Sequence, residues 1–360
     1  MLRKYNFNPG PATLPLPALE KIRDNIIDFN QAGMSILETS HRSTEYGTVH
    51  ARTKELMTKL FHIPDNFQIL FLGGGATLQF CMVPMNFLGP DKSADYIITG
   101  SWAKKAYKDA KLYGPVKVAG STEADKFTRI PKQSELTLAP DARYVHLTSN
   151  NTIAGTQWQT FPDTGKVPIF ADMSSDIMSR KVDFSKFGLI YAGAQKNLGP
   201  AGVTIVIIRN DILESAVQGL PAYLSYKTHA PEDSLYNTPP VFAIFVVMTV
   251  LEWLEGLGGL AEMEKLNKKK ADLLYNTMDA DPEFYRGTNE KASRSLMNVT
   301  MRLPSEDLEK AFISEAGKVG LHGLKGHRSV GGIRASIYNA FPYEGIEKLV
   351  EFMAQFRKNH

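Results

Sequence analysis

Cysteine is almost missing from this chain. Cys81 is the one thiol in 360 residues, which excludes an intrachain disulfide and leads us to expect a reducing, cytoplasmic setting. It lies in Phe80-Cys-Met-Val83, an apolar stretch that reads as core rather than as a nucleophile's setting. An excess of one charge is missing too. The 41 basic and 38 acidic residues leave a formal +3, which gives no footprint for nucleic acid. No apolar run is long enough to cross a bilayer; the longest, Val241 to Leu251, reads as a buried helix. The opening MLRKYNFNPGP lacks the apolar core of a signal peptide and the character of a transit peptide. No H-E-x-x-H, C-x-x-C or acidic cluster suggests a metal site, and no internal repeat or low-complexity tract is visible.

What is present is the composition of a soluble globular protein, 43% hydrophobic and 22% charged, in a chain long enough for two domains. Its central stretch is Tyr191-Ala-Gly-Ala-Gln-Lys-Asn-Leu-Gly-Pro-Ala-Gly202, set between two apolar runs that read as core strands. Lys196 therefore sits on a Gly-rich connection where small neighbours let a flat molecule approach the backbone. Taken out of water, its amine loses basicity and becomes a nucleophile fit for a Schiff base. An ordinary loop lysine is the alternative. Upstream, Val167-Pro-Ile-Phe-Ala-Asp172 reads as a strand ending in an acid. A pyridoxal phosphate enzyme needs a lysine for its aldehyde and a carboxylate to keep its ring nitrogen protonated. Asp172 equally suits a helix cap or a turn.

The remaining segments alternate strand and helix. Leu19, Ile22, Ile26 and Ile27 predict a helix running to Gln31, and 45–61 predicts another. Between them His41 and Arg42 form a loop pair suited to an anion or simply to solvent. Strand 67–72 runs through Gly73-Gly-Gly75 into a helix starting at Ala76, a cradle of backbone N–H groups for a phosphate or else a plain tight turn. Strand 95–99 leads to Trp102, which could stack on a planar ring or pack in the core. Strand 142–148 is followed by Ser149-Asn-Asn-Thr152, short polar side chains suited to a ligand or to an Asx-turn. A helix is expected from Asn210 to about Val217, and Lys268-Lys-Lys270 reads as the solvated face of a later one. Alternation of this kind predicts an α/β fold with a doubly wound, mostly parallel sheet whose ligands gather at strand C-terminal ends. A small α+β unit closes the chain, with His327, Arg328 and Arg334 on and beside a Gly-rich turn, either a fork for carboxylate and phosphate or a basic tip in solvent. The expected organisation is an arm at 1–15, a large domain at 16–258 and a small one at 259–360.

These strings together resemble the phosphoserine aminotransferase family, fold-type I pyridoxal phosphate enzymes within the class-V aminotransferases. The resemblance rests on NFNPGPA, SHRS at 40–43, the triple glycine, DYIITGSWA, ADMSSDIMSR, YAGAQKNLGPAG, YNTPP and LKGHRSVGGIRASIYNA. It implies that Lys196 holds the cofactor covalently and moves a proton, and that Asp172 pairs with the pyridinium. It implies that Trp102 stacks on the ring and that Thr152 bonds near its phenolic oxygen. Gly75, Ala76 and Gln195 would bind the cofactor phosphate, joined by Asn237 and Thr238 from the neighbouring subunit of a homodimer with shared active sites. His41, Arg42, His327, Arg328 and Arg334 would bind the substrate anions. The implied reaction passes the amino group of L-glutamate to 3-phosphohydroxypyruvate in serine biosynthesis, with 4-phosphohydroxythreonine in pyridoxine biosynthesis as an open second substrate. Some relatives carry arginine where Ala76 stands and serine where Pro9 stands, so one anion contact and one contact from the arm are in doubt. An alanine–glyoxylate type of transaminase and a non-catalytic phosphate-binding protein are the rival readings.

Overall fold

The computed structural model describes residues 3–360; Met1 and Leu2 of the expected arm lie outside the described residues. The chain begins with β1 (Tyr5–Asn6), α1 (Leu16–Asn25) and α2 (Thr44–Phe61). Then follow β2 (Phe67–Leu72), α3 (Gly75–Phe87), β3 (Ala94–Ile98), α4 (Ser101–Ala110) and β4 (Val116–Ser121). The middle of the chain is β5 (Val145–Thr148), the short pair β6 (Asn150–Asn151) and β7 (Thr156–Gln157), then β8 (Ile169–Asp172), β9 (Phe187–Gly193) and β10 (Thr204–Arg209). Helices α5 (Asn210–Glu214), α6 (Tyr226–His229), α7 (Val241–Gly256) and α8 (Leu260–Ala280) come next. The last elements are β11 (Arg286–Gly287), β12 (Asn298–Arg302), α9 (Glu306–Lys318), β13 (Leu321–His322), β14 (Ile333–Ser336) and α10 (Tyr343–Asn359).

Seven strands form one sheet in the order β2-β10-β9-β8-β5-β3-β4. Only β10 runs antiparallel to its neighbours, so the other six point their C-terminal ends the same way. Both faces are covered, which is why these strands are apolar almost throughout. Ile69, Val145, Ile169, Ile190 and Ile207 face a core shared with α1, α2 and α7. Leu70, Tyr144, Phe170, Leu189 and Val206 face a second core shared with α3 to α6. The apolar run at 241–251 is indeed the buried helix α7, with ten of its residues in the interior. Truncating a wedged side chain such as Phe245 would cost roughly 3–5 kcal/mol. A third core gathers the second half of α8, α9, α10, β12 and β14, with Phe7 of the N-terminal arm inserted. Helix α8 spans the two bodies: Leu260 and Met263 pack in the first core, and Ala271 and Leu274 in the third.

Several elements differ from the sequence reading. Helix α1 stops at Asn25, not Gln31, because the Asn25 and Asp28 side chains accept the Asn30 and Gly33 amides and turn the chain. Ile27 is left 83% exposed. Helix α5 ends at Glu214, and the edge strand β4 was not anticipated. Lys268-Lys-Lys270 is not uniformly solvated: Lys270 is fully buried. Its position follows the helical stripe Asn267, Lys270, Ala271 and Leu274, all facing the interior.

Candidate active site

The parallel strands deliver their functional side chains to one edge. Asp172 is the last residue of β8 and pairs across the sheet with Tyr191 of β9. Its buried carboxylate accepts two hydrogen bonds at Oδ1, from the Ser174 amide at 2.9 Å and the Ser174 hydroxyl at 2.6 Å. Burial raises its pKa, opposed by the Lys196 charge and by Ser174. Lys196 lies on the connection from β9 to β10, and its amine donates to Thr152 Oγ1 at 2.7 Å. Burial pushes that amine down to about 8; Asp172 opposes the fall and Arg334 adds to it. Arg334, on β14, is buried and donates to the Thr152 carbonyl at 3.2 Å. Acid, amine, hydroxyl and guanidinium from four separate segments thus form one cluster.

Around the cluster stand four further features. Gly74, at φ +81°, turns β2 into α3; a Cβ there would lie 2.6 Å from Leu78 Cδ2, so only glycine lets the helix begin at this point. The first amides of α3, including those of Gly75 and Ala76, have no partner within the helix and suit an anion. Trp102 lies in the first turn of α4, with Lys105 Nζ 4.3 Å from its ring centre and its indole N–H buried without a partner among the described residues. Gln195 folds back over Gly193, where a Cβ would lie 2.5 Å from Gln195 Oε1. Lys196 is crossed by the N-terminal arm. Gly10 sits against its Cγ, the Ala12 amide donates to the Gln195 carbonyl at 2.9 Å, and Tyr338 holds the Pro9 carbonyl at 2.7 Å.

The other anticipated anion ligands are spread more widely. His327 borders a cleft of about 540 Å³ together with Arg334, Ser101, Ile153, Asn289 and Thr300. Burial lowers its pKa, and the nearby Arg334, Arg328 and Lys105 lower it further. Arg328 is exposed at the tip of the same turn. His41 and Arg42 stand on the loop before α2, and neither makes a hydrogen bond to the Lys196 cluster among the described residues. Asn237 and Thr238 are exposed beside the glycine turn, where they line a cavity of about 230 Å³ with Gly73, Tyr223 and His229. Sequence reasoning missed Ser174, Lys105 and Tyr338. Ser174 had a usable signal, since a hydroxyl two residues after an aspartate commonly closes on its carboxylate.

The residues fit pyridoxal phosphate on structural grounds. A lysine amine of lowered basicity, a buried carboxylate, a tryptophan with an unpartnered buried N–H and a glycine-led helix start meet the demands of its aldehyde, ring nitrogen, ring and phosphate. Fold and site together define a fold-type I enzyme of the pyridoxal phosphate class. The family model described as aminotransferase class-V matches residues 4–349. The phosphoserine aminotransferase of Desulfosudis oleivorans is 58% identical over 360 residues, covering 99% of both chains. That of Lysinibacillus sphaericus is 53% identical over 358 residues, again covering 99% of each. Among solved structures, phosphoserine aminotransferase from Bacillus circulans subsp. alkalophilus superposes with a TM-score of 0.97 at 52% identity over 99% of both chains. The pyridoxal phosphate-bound enzyme of Trichomonas vaginalis gives 0.93 at 38% identity, covering 98% of this chain and 100% of its own. The chain belongs to the class-V aminotransferase family and, within it, to the phosphoserine aminotransferases. An alanine–glyoxylate aminotransferase from Nostoc sp., at 14% identity and a TM-score of 0.75, shares the fold alone.

Proposed function

We propose that the protein is a pyridoxal phosphate-dependent phosphoserine transaminase, exchanging the amino group of L-glutamate with 3-phosphohydroxypyruvate to give O-phospho-L-serine and 2-oxoglutarate. The observation that carries this is the cluster in which Lys196, held by Thr152, feels the charges of buried Asp172 and Arg334. When bound, the cofactor supplies a carbon that carries the amino group and a ring that accepts the electron pair left at Cα. Asp172, aimed by Ser174, holds the proton on the ring nitrogen. Lys196, when its amine is free, would take the proton from the substrate Cα and would hand it back beyond the substrate nitrogen, two bonds from Cα. An amine that titrates near 8 can do both at neutral pH. Arg334 binds the α-carboxylate bidentately, and its burial strengthens that grip by excluding water. His327, Arg328 and the loop pair His41 and Arg42 receive the distal phosphate or side-chain carboxylate. Gly75, Ala76 and Gln195 would hold the cofactor phosphate, and Trp102 would cover its ring.

The same reading makes the protein a cytoplasmic homodimer in which Asn237 and Thr238 serve the partner's cofactor phosphate. Supporting it are their exposure and the exposed apolar side chains Ile27, Met34 and Leu37. It also divides the chain into an arm at 1–15, a large unit at 16–258 and a small unit at 259–360, supported by the sharp bend between α7 and α8. The deciding experiment follows the cofactor absorbance of purified protein mixed with one amino acid at a time. O-Phosphoserine is expected to discharge the band far faster than alanine. Equal rates would overturn the substrate assignment in favour of a general class-V transaminase, and a colourless protein would overturn the enzyme assignment.

A further inference from the structure

The middle of α8 hides a cation that the catalytic cluster does not touch. Lys270 is fully buried, and its Nζ lies 3.0 Å from the Ile337 carbonyl, 2.6 Å from Tyr338, 3.4 Å from Asn339 and 3.2 Å from Phe341. No carboxylate is among its partners in the described residues. Four carbonyls of one short segment converge on it, as they would on a bound metal ion, and all can only accept. Burial pushes the ammonium down to about 7 while these dipoles favour its charged form.

The caged segment, 337–341, leads to Lys196 by two routes. The Asn339 amide donates to Asn197 Oδ1 at 3.0 Å, and Asn197 is the residue after Lys196. The Asn339 side chain is itself fixed by Asn267, one turn of α8 before Lys270, and by the Met178 carbonyl. On the second route, Tyr338 bonds the Pro9 carbonyl of the arm over Lys196 and interacts with Thr152, which accepts the Lys196 amine. Without a cation the carbonyls of Ile337, Asn339 and Phe341 would lose this partner and that of Tyr338 would keep the Phe341 amide at 2.9 Å, so converging dipoles would push the segment open.

We propose that Lys270 is a positioning residue for the transamination, a built-in cation that gathers segment 337–341 and thereby seats Asn197 and Thr152 around Lys196. The proposal rests on the function proposed above, but its test is read first without substrate, so a wrong substrate assignment leaves it intact. In the holoenzyme, Lys270→Met keeps an unbranched side chain one atom shorter and removes the charge. The expected result is a folded, cofactor-bound protein whose pH midpoint for the absorbance change of the Lys196-linked cofactor is displaced. Its kcat should fall roughly 10- to 100-fold, as misplacement of a reacting group by about an ångström does, with KM nearly unchanged. A wild-type midpoint and wild-type kcat in that variant would overturn the proposal. Should the methionine variant not fold, Lys270→Ala is refolded with ammonium or propylammonium chloride. Recovery of the midpoint and of kcat with these cations supports the proposal. Failure to recover, or recovery of fold without recovery of midpoint, overturns it.

Discussion

In cofactor-free protein the Lys196 amine titrates near 8 instead of at the usual 10.5. Below that midpoint it is ammonium and above it free amine. At pH 7 about 9% is therefore unprotonated, against about 0.03% for an ordinary lysine, a roughly 300-fold larger reactive fraction. Two substitutions move the midpoint in opposite directions. Asp172→Asn removes the negative charge that supports the ammonium, so the midpoint falls; a fall of about one pH unit takes the free amine at pH 7 from about 9% to about 50%. Arg334→Met removes a positive charge that opposes it, so the midpoint rises. The assay treats cofactor-free protein with a limiting acylating ester between pH 6 and 11, and counts adduct on the Lys196 peptide by mass spectrometry. Lys268, 68% exposed, is counted in the same digest. The stability of this form carries the same signature. Between about 8 and 10.5 the unfolded chain holds the proton and the folded one does not, so Lys196 makes stability rise with pH across that window. A Lys196 profile that coincides with that of Lys268 and ignores both substitutions would refute the idea that burial and these two charges set the amine.

Three further outcomes are expected. Ser174→Ala removes the 2.6 Å bond to Asp172 and leaves the amide bond, so cofactor affinity should fall by about 1–2 kcal/mol, roughly 5- to 30-fold; equilibrium dialysis giving an unchanged Kd would count against Ser174 as the aligner. Thr152→Val takes away the oxygen that receives the Lys196 amine, and steady-state rates should drop by about tenfold, with Thr152→Ser restoring them. Gly100→Ala would drive a Cβ into Asn151 Oδ1 and disturb the bonds from Asn151 to Thr99 and Thr156. It should cost about 1–3 kcal/mol, and an unshifted thermal melt would contradict that close approach.

How far the molecule could be read from its residues depended on locality. Most sheet strands announced themselves because burial on both faces makes them apolar almost throughout, and the acid and amine stood at the ends of two of them. Lys196 and Asp172 were legible because their neighbours in sequence are also their neighbours in space. Lys270 was not, because a run of three lysines advertises solvent, and only the spacing from Asn267 to Leu274 shows that the third turns inward. Strand β4 was hidden by its half-exposed edge position and polar content. The end of α1 was hidden because Ile26 and Ile27 keep the helical period while Asn25 and Asp28 close turns beneath it. The meeting of Thr152, Arg334 and Tyr338 joins residues nearly two hundred positions apart, which no local pattern encodes.

The arm over Lys196 fixes an order of events during synthesis. Strand β1 pairs with β13 in the register Tyr5↔Leu321, and Tyr338 then ties down Pro9. Residues 5–9 thus find their places late, waiting until partners some three hundred positions further along the chain have been made. The large sheet can fold around Asp172 well before then, but the pocket gains its cover only when β13 and Tyr338 arrive, so a nascent chain stalled short of residue 321 would present Lys196 uncovered.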